Sequence, residues 1–153
     1  MSDFVIRKAT LADLDAIKSL TDAHRSELGF VMRPALAKSI SQGEVFVAEN
    51  NADLVGFVEY HHRRDEQTTL YHIAVEPDHR KQGIGRLLIT SLANDAQQHD
   101  KTFIQLKCPT ELSANHFYAH IGLTQVSVET GRRRPLAVWW LPLTNNSPLV
   151  STG

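Results

Sequence analysis

The sequence predicts one α/β (α+β) domain, in which about four helices flank a central, mixed, mostly antiparallel β-sheet of about six to seven strands. Seven short apolar or alternating stretches end at turn residues, which is typical of strands. Four further stretches carry apolar residues at three- and four-residue spacing or a proline at the first helical position, which is typical of helices. The chain has 153 residues, 42% of them hydrophobic, which suffices for one domain over residues 1–144. The polar residues 145–153 are expected to form a flexible tail.

The first half of the chain predicts two helices and four strands. Residues 4–6 form the opening strand, and a capping pair at Thr10 and Asp13 begins a helix that runs to about residue 26. The apolar stripe expected to be buried on that helix consists of Leu11, Leu14, Ile17 and Leu20. A second helix, with Pro34 as its first residue, ends near Ile40. Strands at 45–49 and 54–62 then form an antiparallel meander with a strand at 70–75.

Residues 70–92 join a strand, a glycine turn and a helix without spare residues between them. Pro77 ends the strand, since it lacks an N–H and restricts the residue before it to extended conformations. Gly83 and Gly85 leave no side chain over the amides of the turn, so these N–H groups can point at one bound object. The amphipathic helix that follows runs to about Gln98, and its N-terminus is a ready site for an anion, above all phosphate.

The second half predicts another strand, a short helix and a hairpin. A strand at 103–108, buried on both faces, follows a parallel crossover and ends at Pro109. A helix at 113–121 stops at Gly122. Strands at 125–129 and 136–141 form a hairpin around Thr130 and Gly131.

Composition excludes several classes of partner and site. The net charge of −1 provides no overall attraction to nucleic acid or to a membrane. Cys108 is the one cysteine, which excludes an internal disulfide and makes a thiolate zinc site implausible, so no metal is expected. With no apolar leader and no run of about 18 apolar residues, the chain is expected to be a soluble cytoplasmic protein.

The glycine turn by itself does not identify its ligand. A Walker phosphate loop requires Lys and then Ser or Thr after its last glycine, whereas Arg86 and Leu87 follow Gly85 here. A Rossmann turn has a third glycine at the position that Leu88 occupies. Both interpretations therefore fit the residues poorly.

The whole arrangement resembles the GCN5-related N-acetyltransferase (GNAT) family, in which a strand, an Arg/Gln-x-x-Gly-x-Gly/Ala turn and a helix bind acyl-CoA. Arg80, Gly83 and Gly85 stand at the signature positions. The segment NHFYAHIGL, residues 115–123, is similar to the family's Asn-x-x-Tyr-x-x-x-Gly-Phe segment, with Leu123 in place of Phe. The resemblance covers residues 4 to about 143 and implies a single-domain GNAT-like fold with a splayed sheet.

The resemblance implies acetyl-CoA as cosubstrate and a set of residues that hold it. The turn would bind the pyrophosphate, and the strand before it would pair with the peptide-like pantetheine, provided that the neighbouring strand diverges near residues 108–110. The implied cofactor-binding residues are Ile73, Ala74, Val75, Arg80, Lys81, Gln82, Gly83, Ile84, Gly85, Arg86, Asn115 and Tyr118.

The resemblance also implies how the transfer is catalysed. Tyr118 corresponds to the general acid that protonates the departing thiolate. The general base is open, because no carboxylate stands on the central strand, where some family members carry one. Glu59 on the preceding strand, on the same face as His61, is one candidate; His72 is another, and a chain of water molecules is a third. Cys108 is expected to be a buried apolar residue rather than a nucleophile.

The implied function is acyl-CoA-dependent N-acetyl transfer to a primary amine of a small molecule or peptide by direct attack. One alternative function is that of a non-catalytic module that senses acyl-CoA. Another is acetyl transfer to an amine carried on a nucleic acid, which the three arginines at 132–134 would contact. By analogy, the acceptor wall would include His24, Glu27, Phe30 and Met32. Of Trp139 and Trp140, one is expected inside and the other in a pocket or a homodimer contact.

Overall fold

The computed structural model describes residues 4–143, so the tail predicted at 145–153 lies outside the described residues. Within them the chain forms seven strands and five α-helices. The strands are β1 Phe4–Lys8, β2 Val45–Asn50, β3 Asp53–His62, β4 Gln67–Val75, β5 Phe103–Pro109, β6 Thr124–Thr130 and β7 Pro135–Pro142. The helices are α1 Leu14–Ala23, α2 Arg25–Leu28, α3 Arg33–Ser41, α4 Ile84–Gln98 and α5 Ala114–His120.

The strands form one seven-stranded sheet in the order β1-β2-β3-β4-β5-β7-β6. β1 pairs with β2, β2 with β3, β5 with β7 and β6 with β7, all antiparallel. β4 and β5 are parallel, as the crossover through α4 requires. The mixed, mostly antiparallel sheet predicted from the sequence is therefore confirmed.

The β4–β5 ladder is short compared with the strands that form it. It pairs Gln67, Thr68 and Thr69 with Phe103, Ile104 and Gln105, whereas β4 continues to Val75 and β5 to Pro109. In the described ladder, the last six residues of β4 therefore have no register partner on β5.

The described chain groups into two compact units, the first made of residues 4–61 and 70–92. Its core lies between the sheet and helices α1 and α3, and includes Ile17, Leu20, Leu36, Ile40, Val45, Val47 and Phe57. Gly56 on β3 lies in this unit where space is scarce: a Cβ added there would be 3.1 Å from the Ala74 carbonyl oxygen and 3.5 Å from Ile84 Cγ2. The end of β4 and the start of α4 thus lie close to a residue without a side chain.

The prediction of a buried apolar stripe on the first helix is wrong at one residue, Leu11. Thr10 and Asp13 do form the capping box, but they cap a 3-10 turn at Leu11–Asp13, and α1 begins only at Leu14. A 3-10 turn has three residues per turn, so Leu11 is rotated away from the α-helical stripe and is 57% exposed. The helix also breaks at His24, before α2.

The second unit comprises residues 62–69 and 93–143. In β5 the side chains of Ile104, Leu106 and Cys108 are buried, while the residues between them are partly or fully exposed. The prediction that this strand is buried on both faces is therefore wrong: successive side chains alternate, and one face is covered. None of the helices described in residues 4–143 has the length and apolarity needed to cross a membrane.

Candidate active site

The turn between β4 and α4 presents main-chain N–H groups in the first unit. Lys81 has φ 65° and Gly83 has φ 84°, a left-handed conformation that a glycine adopts at no steric cost. Leu87 N–H donates to the Gly83 carbonyl at 3.0 Å, which makes the first helical hydrogen bond of α4. The N–H groups at the start of a helix have no partner within the helix, and among the described residues no main-chain bond outside helices and strands uses the N–H of residues 81–86.

The Arg80 side chain fastens this turn to the strand that precedes it. Its Nε donates to the Val75 carbonyl oxygen at 3.0 Å, and its Nη2 lies 3.9 Å from Glu27 Oε1. The arginine predicted at the signature position therefore fixes the start of the turn. Glu27, expected in the acceptor wall, contacts this arginine.

Two further observations test whether the turn fits the pyrophosphate of acetyl-CoA. A Cβ added at Gly83 would have nothing within 4 Å, so the space above the turn is open. His79 Nδ1, just before the turn, is the one buried side-chain nitrogen or oxygen within residues 4–143 that has no hydrogen-bond partner. An open cradle of N–H donors beside an unsatisfied imidazole nitrogen fits an anionic ligand that supplies acceptors.

The edge of β4 presents main-chain groups of alternate residues. The Ala74 carbonyl is on the β3 side, because a Cβ at Gly56 would lie 3.1 Å from it, and Glu76 N–H donates to the Val55 carbonyl at 2.8 Å on that same side. Main-chain groups alternate along a strand. The N–H and C=O groups of Ile73 and the N–H of Val75 therefore point away from β3.

The two candidate bases meet in the first unit. His72 Nδ1 lies 2.7 Å from Glu59 Oε1, and Ser39 Oγ donates to Glu59 Oε2 at 2.7 Å. The Glu59 side chain is 6% exposed, whereas that of His72 is 27% exposed. Glu59 is thus a buried carboxylate held between a hydroxyl and an imidazole, not a solvent-facing strand residue. We refer to these three hydrogen-bonded residues, Ser39, Glu59 and His72, as the base chain.

His61, which alternation along β3 places on the same face as Glu59, contacts a different carboxylate. Its Nδ1 lies 2.9 Å from Glu44 Oε1, and its ring stacks on Tyr71 with centroids 6.5 Å apart. The first unit therefore holds two histidine–carboxylate pairs, and Ser39 completes the one with His72. Sequence reasoning missed Ser39, because its contact with Glu59 spans 20 positions and has no local signal.

In the second unit, Tyr118 lies on α5 with 6% of its surface exposed. Its ring packs against Phe117 and against Trp139, whose centroid is 6.1 Å away. The predicted general acid is therefore a largely buried tyrosine in an aromatic setting, and Trp139 is the buried member of the tryptophan pair. Trp140 is 39% exposed and donates from Nε1 to Gln105 at 2.7 Å.

The Asn115 side chain connects three elements of the second unit. Its Nδ2 donates to the carbonyls of Pro109 at 2.9 Å and Leu112 at 2.8 Å, and its Oδ1 accepts from Trp139 Nε1 at 2.9 Å. It thereby ties the end of β5 to the start of α5 and to β7. Its predicted contact with the cofactor stays a prediction.

Cys108 is a buried thiol without nucleophilic character. It is 5% exposed, and burial raises the pKa of its thiol to about 11. A thiol with so high a pKa is almost entirely protonated at pH 7 and so reacts poorly. The structure therefore agrees with the expectation from the sequence.

Two residues of the predicted acceptor wall are exposed and apolar. Phe30 and Met32 are 61% and 57% exposed. Lys18 Nζ and Arg25 Cζ lie 4.5 and 4.7 Å from the centre of the Phe30 ring. His24 is instead buried, with Nδ1 3.0 Å from the Leu20 carbonyl.

Comparison with known structures supports the fold. The chain is similar to Ard1 from Thermoplasma volcanium, with TM-score 0.82 and 14% identity over 93% of this chain and 99% of that one. It is similar to the ribosomal-protein-S18-alanine N-acetyltransferase from Escherichia coli, with TM-score 0.77 and 20% identity over 95% and 97%. It is also similar to yncA, a putative acetyltransferase from Salmonella typhimurium solved with its cofactor acetyl-CoA, with TM-score 0.75 and 20% identity over 95% and 97%.

Comparison of sequences identifies the family. No curated protein matches the chain. The family model for the acetyltransferase (GNAT) domain matches residues 41–124, more than half of the chain. This span contains the base chain apart from Ser39, the glycine turn with α4, and the Asn115 and Tyr118 segment. The chain therefore belongs to the GNAT acetyltransferase family.

Proposed function

We propose that this protein is an acetyl-CoA-dependent N-acetyltransferase that acts on a primary amine of a small molecule or peptide by direct attack. The observation that carries the proposal is the 2.7 Å hydrogen bond between His72 Nδ1 and the buried Glu59. This contact supports His72 as the general base, for which the sequence left several candidates. Family membership and the acetyl-CoA bound by the Salmonella relative support the choice of donor.

The donor is held by main-chain groups of the first unit. The N–H groups of residues 81–86 bind the pyrophosphate at the start of α4. Pantetheine is peptide-like, so it pairs with the edge of β4 as an added strand. The N–H groups that point away from β3 on that edge belong to Ile73 and Val75, and the N–H of Ile73 is the one we assign to the thioester carbonyl, which it polarises.

His72 removes the proton from the amine. A lysine-like amine has a pKa of about 10.4, so at pH 7 it must lose a proton to become a nucleophile. Glu59 accepts the Nδ1–H of His72, which leaves the Nε2 lone pair to accept that proton. The carboxylate then stabilises the imidazolium, and Ser39 keeps the carboxylate in place.

Tyr118 supplies the proton for the leaving group. The amine nitrogen bonds to the acetyl carbon while the carbon–sulfur bond breaks, and the products are an amide and the CoA thiol. His72 takes one proton from the ammonium before the attack and passes it to solvent. As the carbon–sulfur bond breaks, Tyr118 gives its proton to sulfur and is reprotonated by the second proton of the nitrogen, so one H⁺ is released overall and the atoms and charges balance. Asn115 acts as a positioning residue, since its three short hydrogen bonds hold the start of α5.

The acceptor is proposed to meet the exposed Phe30 and Met32, which offer an apolar surface beside Lys18 and Arg25. The Escherichia coli relative is named for an alanine of a ribosomal protein, which makes peptide N-termini the first acceptors to try. Polyamines, amino acids and aminoglycoside-like amines complete the panel. The proposed acceptors include no nucleic acid.

The test is an acceptor screen with acetyl-CoA, read by thiol release and by mass spectrometry of the product. With a working acceptor, His72→Gln is expected to lower kcat by about 10²- to 10⁴-fold, the range for loss of a general base. His61→Gln is the matched control, because it also breaks a histidine–carboxylate pair of the first unit. Tight acetyl-CoA binding with no transfer to any amine would instead favour the acyl-CoA-sensing alternative, and equal effects of both variants would remove His72 as the base.

A further inference from the structure

The second unit contains a cluster of two histidines and one aspartate that the transfer reaction does not use. His62 is the last residue of β3, Asp95 lies near the end of α4, and His99 follows that helix. One ligand atom from each lies within 4.8 Å of the other two. We propose that these three residues form a binding site for a divalent transition-metal ion such as Zn²⁺. The site shares no residue with the proposed transfer chemistry.

The arrangement of the chain brings the ligands together before any ion is bound. Asp95 and His99 are four positions apart, so they lie on the same side at the end of α4. His62 Nε2 lies 2.9 Å from Asp95 Oδ2, and the imidazoles of His62 and His99 stack with centroids 4.2 Å apart. His99 Nδ1 lies 3.9 Å from Asp95 Oδ1. Little movement is needed to place all three around one ion.

The distances suit a small ion with nitrogen and oxygen ligands. Zn²⁺ binds imidazole nitrogen and carboxylate oxygen at about 2.0–2.2 Å, which places tetrahedral ligand atoms about 3.4 Å apart. The 2.9 Å separation between His62 Nε2 and Asp95 Oδ2 is somewhat shorter than this, and the ligand atom of His99 lies within 4.8 Å of the other two. The exposed His99 side chain supplies the adjustment, since 52% of its surface is accessible.

Both imidazoles are oriented as they are in metal sites. Ligating histidines donate their other N–H to an oxygen acceptor, which fixes the ring and the tautomer. His62 Nδ1 lies 2.8 Å from the hydroxyl oxygen of the fully buried Thr68, and His99 Nδ1 lies 2.8 Å from the Asp95 carbonyl oxygen. Nδ1 of each ring thus has an oxygen partner, and Nε2 is the nitrogen directed to the metal.

Burial divides the site into a fixed part and an accessible part. The side chains of His62 and Asp95 are 8% and 11% exposed, whereas His99 is open to solvent. The ion therefore enters from the side of His99, and its fourth position takes water. An ion there links the ends of β3 and α4 across a closed loop of 33 residues, which stabilises the folded state because the unfolded chain has no such preformed site.

The experiment is a titration of Zn²⁺ into the untagged full-length protein, followed by isothermal calorimetry and by thermal unfolding. We expect one ion per chain and, at a hundredfold excess over Kd, an increase in Tm on the order of 5–10 °C. His99→Ala is expected to weaken binding at least about tenfold, and it leaves the fold intact because the residue is exposed. His120→Ala, which removes another exposed histidine of the second unit, is the matched control and retains wild-type affinity.

Three results would overturn the proposal. Absence of saturable Zn²⁺ binding would leave His62 and Asp95 as a simple hydrogen-bonded pair. Equal affinity of the His99→Ala variant and the wild type would place the ion elsewhere. A loss of affinity in the His120→Ala variant as large as in His99→Ala would show binding to surface histidines in general.

Discussion

Replacing Glu59 with Gln tests the base chain without leaving a cavity. Glutamine has the same shape as glutamate but no charge. Its carbonyl oxygen can still accept the Nδ1–H of His72, and its amide can donate to Ser39 Oγ. The variant is therefore expected to fold, and what it loses is the interaction between a negative carboxylate and the imidazolium that forms when His72 takes a proton.

The magnitude follows from the geometry. Glu59 is 4% exposed and has two partners at 2.7 Å. A hydrogen bond to a charged partner contributes about 1.5–3 kcal/mol. Because the extra strength is present only when His72 is protonated, it is lost mainly from the transition state. Glutamine keeps a neutral hydrogen bond worth about 0.5–1.5 kcal/mol, so the loss is about 1–1.5 kcal/mol. This corresponds to a decrease in kcat of about 5- to 13-fold at 25 °C.

The assay is steady-state acetyl transfer to the best acceptor from the screen, with acetyl-CoA varied from below to above its KM. kcat should fall while the KM for acetyl-CoA changes by less than about threefold, since Glu59 does not contact the donor. Glu44→Gln is the matched control, because Glu44 is also buried and also contacts a histidine, His61. Its kcat is expected to stay within about threefold of the wild type.

Two results would refute the reasoning about Glu59. One is a Glu59→Gln variant that folds like the wild type, by circular dichroism and Tm, and retains more than half of the wild-type kcat. The other is an equal decrease in the Glu44→Gln variant, which would indicate a general effect of lost buried charge rather than a role for the base chain.

Two further predictions concern the acid and the N-terminal ion pair. Tyr118→Phe should lower kcat by about 10²-fold or more. Acetyl-CoA affinity should be nearly unchanged, because the ring still packs on Trp139. Turnover is measured by thiol release, and an unchanged rate would remove Tyr118 from the mechanism. Hydrogen bonding from Arg7 lowers the pKa of the Asp13 carboxyl below its ordinary 3.8. The ionised carboxylate therefore stabilises the fold fully above a pH of about 3.8, and this contribution is lost as the pH falls from there through the lowered pKa. Asp13→Asn should therefore cost about 1 kcal/mol in urea unfolding at pH 7, discounted for the partly exposed arginine, and less as the pH falls below about 3.8; a cost independent of pH would contradict this.

Apolar spacing and turn residues in the sequence were sufficient to predict α4 and α5, the two helices of the candidate site. The apolar spacing after the glycine turn and the lack of a break before Gln98 predicted α4 to its last residue. The helix predicted at 113–121, with its stop at Gly122, corresponds to α5, Ala114–His120. These features depend on neighbours within a few positions, so periodicity and turn residues are sufficient to find them.

The break at His24 shows where local signals fail. The apolar stripe favours a continuous helix, yet the chain leaves α-helical geometry at His24, whose φ is −116°. His24 is buried, and its Nδ1 contacts the Leu20 carbonyl. Burial against the rest of the unit is a tertiary interaction, and no residue near position 24 indicates it.

Contacts between distant residues were the least predictable. Glu59 and His72 were both recognised as candidate bases, but their contact depends on which strands are neighbours and in what register. Alternation along β3 placed His61 on the same face as Glu59, but it did not indicate that His61 contacts Glu44, which lies 17 positions away. The contact between His62 and Asp95 spans 33 positions and has no sequence signal at all.

Gly83, in the proposed donor site, and Gly56, beside the end of β4, restrict substitution in different ways. At Gly83 the restriction is a backbone angle, φ 84°, with open space around it; asparagine tolerates that conformation and is therefore an admissible replacement over evolutionary time. At Gly56 the restriction is distance, because the nearest obstacle is a main-chain oxygen at 3.1 Å that cannot rotate away. Position 56 can thus accept a side chain only if β4 or α4 moves as well, and divergence there requires coordinated change in the elements that we propose contact the donor.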